Sequence, residues 1–204
     1  MITHGIGLQY VHDDSVTPGF AFSVAVNALR DNGLAFAIAL PEAREGRTTP
    51  TDRGYDKWHP PTVGERMLVY ADETQIREVR KVLERYSDYI DMEPPRLLPD
   101  RPPHHLLMER VRTDDKRSNA ATNRALRRAC RRAAQGRREP VTDEEIANRQ
   151  KAVRRQRYPY LHLKSHTTCQ QFQVAFRLQK VGAALDGRFD TYGLSRDGAT
   201  VPAL

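Results

Sequence analysis

The sequence predicts an α+β protein with an N-terminal ferredoxin-like domain, a proline-rich connector, and a C-terminal α/β domain carrying an arginine-rich helix and a β-hairpin region. Three observations lead there. Over roughly the first 92 residues the apolar pattern switches between strand and helix periods in the order β-α-β-β-α-β, which is that of a ferredoxin-like domain. Pro94, Pro95, Pro99, Pro102 and Pro103 then make a stretch that no helix or central strand can cross. Finally, Arg110 to Arg157 holds 14 Arg and 2 Lys against 6 acidic residues, a local +10 in a chain of net charge +7, so the remainder carries −3. The expected division is residues 1–94, a connector over 95–103, and 104–204.

Gly5 to Val11 alternates loosely and reads as an edge strand. Thr17-Pro18 has the form of an N-cap followed by a proline in the first helical turn, which predicts a helix from Pro18 to Asp31 stopped by Asn32-Gly33. The unbroken apolar run Leu34 to Leu40 suits a central strand. After a Gly- and Pro-rich excursion from Pro41 to Gly64, Arg66 to Ala71 reads as a strand. Asp72 then caps a helix whose apolar stripe is Ile76, Val79, Leu83 and Tyr86, and Tyr89 to Met92 completes the pattern. Beyond the prolines come a strand at Leu106 to Arg112 and a helix from Ala120 to Gln135 ended by Gly136. A second helix starts at the capping-box sequence Thr142-Asp143-Glu144-Glu145. Strands at Tyr160 to Lys164 and Gln171 to Leu178 precede a glycine-punctuated hairpin that runs to the end. No internal repeat or low-complexity tract is present.

No apolar run reaches the roughly 20 residues that span a bilayer, and no signal peptide is readable at the N-terminus. A soluble, cytoplasmic protein without membrane association is expected. Cys130 and Cys169 cannot staple a chain of 204 residues and form no paired CxxC motif, so both are expected as free thiols. His4, His12, His59, His104 and His105 have no metal-ligand spacing, and His166-x-x-Cys169 alone is a weak one. Neither a metal nor a cofactor is expected.

The basic segment is the most informative feature. At 100° per residue Arg124, Arg127, Arg128, Arg131 and Arg138 fall within a sector of about 100°, with Arg132 beside it, while Ala125, Leu126, Ala129, Cys130 and Ala133 lie opposite. A charge run often means only a solvated face. Here, however, the cations are nearly all arginine, whose planar guanidinium suits phosphate and base edges, and like charges at i, i+3 and i+4 disfavour the helix until an anion compensates them. A nucleic acid supplies that anion. A membrane-surface helix needs large apolar residues opposite the charges, and those here are mostly alanine.

Three pieces of the second half stand in order: Arg110-Val111-Arg112 followed by Arg127-Arg128-x-x-Arg131-Arg132, then Leu163-Lys164-Ser165-His166-Thr167-Thr168-Cys169-Gln170-Gln171-Phe172, and then Tyr192-Gly193-Leu194-Ser195 with Val201-Pro202. Together they resemble the CRISPR-associated repeat-RNA endoribonucleases of subtype I-F, the F branch of the sixth Cas family, and their type IV relatives. The first half is similar only in its element order and in a strand ending at Pro41.

The resemblance implies a protein that binds the hairpin of a CRISPR repeat and cuts pre-crRNA at the 3′ base of the stem without a metal. Attack of the ribose 2′-OH gives a 2′,3′-cyclic phosphate, and the protein stays on the mature crRNA, often with other Cas proteins of an effector complex. It implies that Arg127, Arg128, Arg131 and Arg132 line the hairpin's major groove, and that Arg110 and Arg112 read base edges near the cut, with Arg112 in place of the family's usual glutamine. Ser165 and Tyr192 fall on the family's positioning hydroxyls. Phe172 falls on an aromatic that stacks on the RNA, although an alternating strand also suits it to a core position. The family's general-base histidine belongs in the first helix, yet Phe20 to Asn32 contains none, and Val26 or Asn27 stands at the matching turn. His166, with His162, is the local substitute, and contact with solvent or the RNA backbone is its other meaning. Arg30, one turn beyond Val26, is either a phosphate ligand or an ordinary exposed helix arginine. The other function consistent with the missing histidine is a catalytically weak or silent hairpin-binding subunit. A general RNA-binding or ribosome-associated protein is the third.

Overall fold

In the computed structural model the described residues are 2–12, 15–50, 56–111, 119–146, 158–165 and 167–204. They fall into two compact units, residues 1–111 together with 158–204, and residues 112–157.

The first unit begins with β1 (His4–Tyr10), α1 (Pro18–Asp31) and β2 (Ala37–Ala39), followed by the hairpin strands β3 (Arg47–Pro50) and β4 (Asp56–His59). It continues through β5 (Arg66–Ala71), α2 (Glu73–Leu83), β6 (Ile90–Met92) and β7 (Arg96–Leu97). Setting aside the inserted β3–β4 hairpin, the sheet order β2-β5-β1-β6 with antiparallel neighbours is the ferredoxin-like order. Both helices start as expected: the Thr17 hydroxyl accepts from the Phe20 amide at 3.3 Å and the Asp72 carboxylate from the Gln75 amide at 2.8 Å.

Two strands occupy positions opposite to those expected. β1 is central rather than an edge, flanked by β5 on one side and by β6 and β7 on the other. Its weak alternation has a steric cause: Ile6 and Leu8 are buried on one face, whereas a Cβ on Gly7 on the other face would lie 2.5 Å from the Glu93 carboxylate. The Leu34–Leu40 run yields only the three-residue β2, at the sheet edge. Its residues are apolar because both faces are covered and because its free edge is closed by the Ile38 amide donating to the Gly193 carbonyl at 2.9 Å.

A second antiparallel sheet has the order β11-β8-β10-β9, built from β8 (His105–Val111), β9 (Tyr160–Lys164), β10 (Gln171–Val181) and β11 (Val201–Pro202). It belongs to the same unit as the first sheet, so the proline stretch is not the boundary expected. Met108, Leu161, Leu163, Val174, Phe176 and Leu194 join Ile6, Leu8, Phe22, Val26 and Leu29 in one core. On the other face of the first sheet, Ala37, Ala39, Leu68 and Tyr70 pack with Leu106, Val201 and Ala203. The prolines lack N–H groups, but Arg96, Leu97 and Leu98 between them keep theirs. β7 pairs with β1, and the Leu98 amide donates to the Thr3 carbonyl at 2.9 Å. Burial pushes the Tyr70 phenol above its usual range, with the opposing charge of Arg66 a smaller effect, and its hydroxyl donates to the Pro202 carbonyl at 2.8 Å. The tail folds back on itself as an irregular hairpin without regular strands: the Arg196 amide donates to the Arg188 carbonyl at 2.8 Å and the Thr200 amide to the Leu185 carbonyl at 3.2 Å, Ser195 bridges both Phe189 and Glu109, and β11 then closes the sheet against β8.

In the second unit, α3 (Asn119–Ala134) is the arginine-rich helix, ending at Gly136 with φ +67°. Residues 143–146 then form a helical turn capped by Thr142, whose hydroxyl accepts from the Glu145 amide at 3.2 Å.

Candidate nucleic-acid interface

α1 is bound to the exposed edge of β9 through polar side chains. The His162 amide donates to the Ser23 hydroxyl at 3.0 Å, and the Lys164 amide to the Asn27 side-chain carbonyl at 3.0 Å. Asn27 therefore serves an edge-strand backbone donor in place of a neighbouring strand. Val26, on the adjacent position, is fully buried in the core. The turn of α1 that the resemblance assigns to a histidine is thus given over to packing and strand-edge pairing. His162 is exposed, with its ring edge-to-face on Tyr160 at 5.2 Å, and lines a groove of about 600 Å³ beside the first half of α1.

One turn further on, Arg30 begins a row of cations and rings. Its guanidinium lies over the Tyr192 ring at 5.2 Å, Tyr192 meets Phe172 edge-to-face at 5.7 Å, and Arg110 lies over Phe172 at 6.0 Å. The row brings together residues from α1, β8, β10 and the tail. Phe172 and Tyr192 are half-buried and Arg110 is exposed, so the row emerges from the core at Arg110. Arg30 is the inner end, only 8 % exposed, contrary to an ordinary exposed helix arginine. Sequence reasoning did not place it there, although a signal existed: Arg30 continues the i, i+4 spacing of the buried Phe22 and Val26.

Tyr192 is set by its own motif. The Asp190 carboxylate accepts from the Tyr192 and Leu194 amides at 2.8 and 3.0 Å, Leu194 is buried, and the Ser195 amide donates to the Met108 carbonyl at 2.9 Å. Gly193, at φ +76°, brings this turn against β2, where a Cβ would lie 2.9 Å from the Phe36 ring. The Tyr-Gly-Leu-Ser segment thus anchors the tail to both sheets and fixes the ring of Tyr192.

Ser165 opens the turn between β9 and β10, two residues after Leu163, the cross-strand partner of Phe172. Its amide donates to the Gln170 carbonyl at 2.8 Å, and its hydroxyl accepts from the Thr168 amide at 3.3 Å and pairs with the Thr167 hydroxyl at 3.2 Å. Cys169, in the same turn, has φ +55° and is a free, exposed thiol, as is Cys130. His166 and Arg112 lie outside the described residues. Among the described residues no group of three or more His, Cys, Asp or Glu side chains is gathered to hold a metal, and no helix is long and apolar enough to cross a membrane.

On α3, Arg124, Arg127, Arg128, Arg131 and Arg132 are exposed, Ala129 is buried, and Ala125, Leu126 and Ala133 are half-buried. Two residues differ from the helical wheel. Cys130 is exposed rather than on the covered side. Arg138 lies beyond the helix end and is half-buried in an ion pair with Glu145 at 2.8 Å, so it does not join the cationic face.

No curated protein matches the chain. A solved structure described as "An RAMP protein binding different RNA substrates" aligns over the whole of both chains at 8 % identity with a TM-score of 0.33. The family model described as CRISPR-associated protein (Cas_Csy4) matches residues 28–204, which include α3, the Ser165 turn and the Tyr192 motif. With that match covering most of its length, the chain belongs to the Cas_Csy4 family of CRISPR-associated proteins.

Proposed function

We propose that the protein binds the hairpin of CRISPR repeat RNA through the exposed arginines of α3 and cleaves pre-crRNA at the 3′ base of the stem without a metal, remaining on the mature crRNA with other Cas proteins. The observation that carries this reading is the row Arg110–Phe172–Tyr192, which gathers side chains from distant parts of the chain around one of the two proposed catalytic hydroxyls. An aromatic ring flanked by an exposed guanidinium is a surface on which an unstacked base can lie, and single-stranded nucleotides at a stem's foot offer such bases.

In this reading the 2′-oxygen attacks the adjacent phosphorus as the bond to the 5′-oxygen breaks, leaving a 2′,3′-cyclic phosphate and a 5′-OH. Ser165 orients the attacking hydroxyl, Tyr192 holds the phosphate, and His166 takes the 2′-proton and protects the leaving oxygen from carrying its charge by returning a proton to it. Single-turnover cleavage of the repeat hairpin tests these roles. Ser165→Ala and Tyr192→Phe are expected to lower the rate far more than the affinity. His166→Ala is expected to cost about 10²-fold and to remove a limb of the pH–rate profile near 6 to 7. An unchanged rate and profile for His166→Ala excludes it as the base.

One observation favours a second reading, a hairpin-binding subunit with little or no turnover. Val26 is committed to the core and Asn27 to the edge of β9, so α1 offers no base at the family's turn. Tight repeat binding without cleavage is the outcome that reading expects.

A further inference from the structure

Arg30 is a cation held in the protein interior with part of its hydrogen-bonding capacity unused. Its Nε and Nη2 both donate to one carboxylate oxygen of the neighbouring Asp31, at 3.1 and 2.5 Å. Its flat face is taken by the Tyr192 ring. Nη1 is buried and has no acceptor among the described residues. Asp31 is half-exposed while the Arg30 side chain is only 6 % exposed, so the pair holds the guanidinium close beneath the surface and leaves Nη1 unspent.

A buried guanidinium N–H without an acceptor is disfavoured, because the group has lost its water and gained nothing. Such a donor persists where a ligand completes it. The charge is positive and Nη1 carries N–H donors, which suit a single anionic oxygen such as a non-bridging oxygen of a phosphate. The location is specific as well, since the same guanidinium packs on Tyr192, the side chain assigned above to the phosphate. The Lys164 amide, next to Ser165, is in turn tied to Asn27, three residues before Arg30 on the same helix, so α1 touches both the Ser165 turn and the Tyr192 ring.

Resting on the function proposed above, we propose that Arg30 is a phosphate ligand of the site, its Nη1 donating to a non-bridging oxygen of the phosphodiester that is cut and of the terminal phosphate that remains on the hairpin afterwards. The ligand class is an RNA 3′-phosphate or its cyclic form. Tyr192, packed on the guanidinium face, keeps that donor aligned and shields it from water, which strengthens the contact when the RNA covers the site.

Binding, rather than turnover, gives the cleanest test. The repeat hairpin is prepared in two forms that end at the stem foot, one with a 3′-phosphate and one with a 3′-OH. Dissociation constants are then measured in EDTA for the full-length parent protein, Arg30→Met and Arg30→Lys. The parent is expected to favour the 3′-phosphate form by about tenfold or more, Arg30→Met to bind both forms as the parent binds the 3′-OH form, and Arg30→Lys to retain part of the preference. A merely structural role for Arg30 would weaken both forms together and leave their ratio unchanged, which overturns the proposal. So does a parent that binds both forms equally, a result that needs no variant to fold. If the parent fails to prefer the repeat hairpin over an unrelated hairpin, the proposed function fails. A repeat preference without a 3′-phosphate preference overturns only the role of Arg30.

Discussion

Arg110 and Arg112 are two residues apart, yet only Arg110 has a described setting, exposed beside Phe172 on β8. Arginine donates two parallel hydrogen bonds to O6 and N7 of guanine, so a base contact by Arg112 predicts sequence-dependent loss on truncation. Arg112→Ala is expected to weaken binding to the cognate repeat by about 1 to 3 kcal/mol and to relax the base preference at the stem foot, with the magnitude taken from DNA readout. Competition binding against repeats altered at single positions measures this, and an equal loss on every sequence makes Arg112 a backbone contact. Gly193 offers a different check. An L-residue in its left-handed conformation costs about 1 to 2 kcal/mol, to which the close approach to Phe36 adds. Gly193→Ala is expected to lower the midpoint of chemical denaturation accordingly, and to slow cleavage further by shifting Tyr192. A variant as stable as the parent contradicts the anchoring role of this turn.

At the scale of elements, α3 and α1 are proposed to divide the work. α3 carries five exposed arginines, with Ala129 buried and Ala125, Leu126 and Ala133 half-buried on its other side, so its proposed contribution is affinity and salt dependence. With four to six phosphates contacted, log affinity against log salt is expected to have a slope of about −3 to −5. Replacing Arg127, Arg128, Arg131 and Arg132 together by alanine is expected to flatten that slope and weaken hairpin binding severely. Parent-like binding and slope in the quadruple variant contradict the role given to α3. α1 instead supplies position, through Asn27 on β9 and Arg30 on Tyr192. Both helices of the ferredoxin-like half were legible because their N-caps and apolar stripes are local signals, as was β5, an unbroken apolar run whose Met67, Val69 and Ala71 enter one core and whose Leu68 and Tyr70 enter the other. What escaped was non-local. Nothing adjacent to β1 in sequence says that β5, β6 and β7 flank it, and nothing near β2 announces the distant Gly193 turn that closes its edge. The arginine face was readable from spacing, but the ion pair that removes Arg138 from it depends on the turn at Thr142.

On the scale of the molecule, the two sheets belong to one unit because their side chains share a core. Leu161, Leu163, Val174 and Phe176 from the second sheet complete the core of the first. That shared core explains how Ser165, Phe172 and Tyr192, which sequence places in a supposed separate domain, come to be framed by α1. The proline stretch misled because it has the composition of a linker while its interspersed residues still pair with β1. The second unit, with α3, is an insertion between β8 and β9. Catalysis and hairpin grip are thus proposed to reside in different parts of one chain, which predicts that they can be lost separately.

The repeat hairpin is proposed to be cut by its own 2′-OH. That proposal is tested by incubating the full-length protein in EDTA with the host repeat RNA and with the same RNA carrying one deoxyribose before the cut, each followed on a denaturing gel. Cleavage of the all-ribose hairpin to a 2′,3′-cyclic phosphate, no cleavage of the deoxy hairpin, and nearly equal affinity for the two are expected. Cleavage that requires a divalent metal, or that proceeds on the deoxy hairpin, contradicts the proposal.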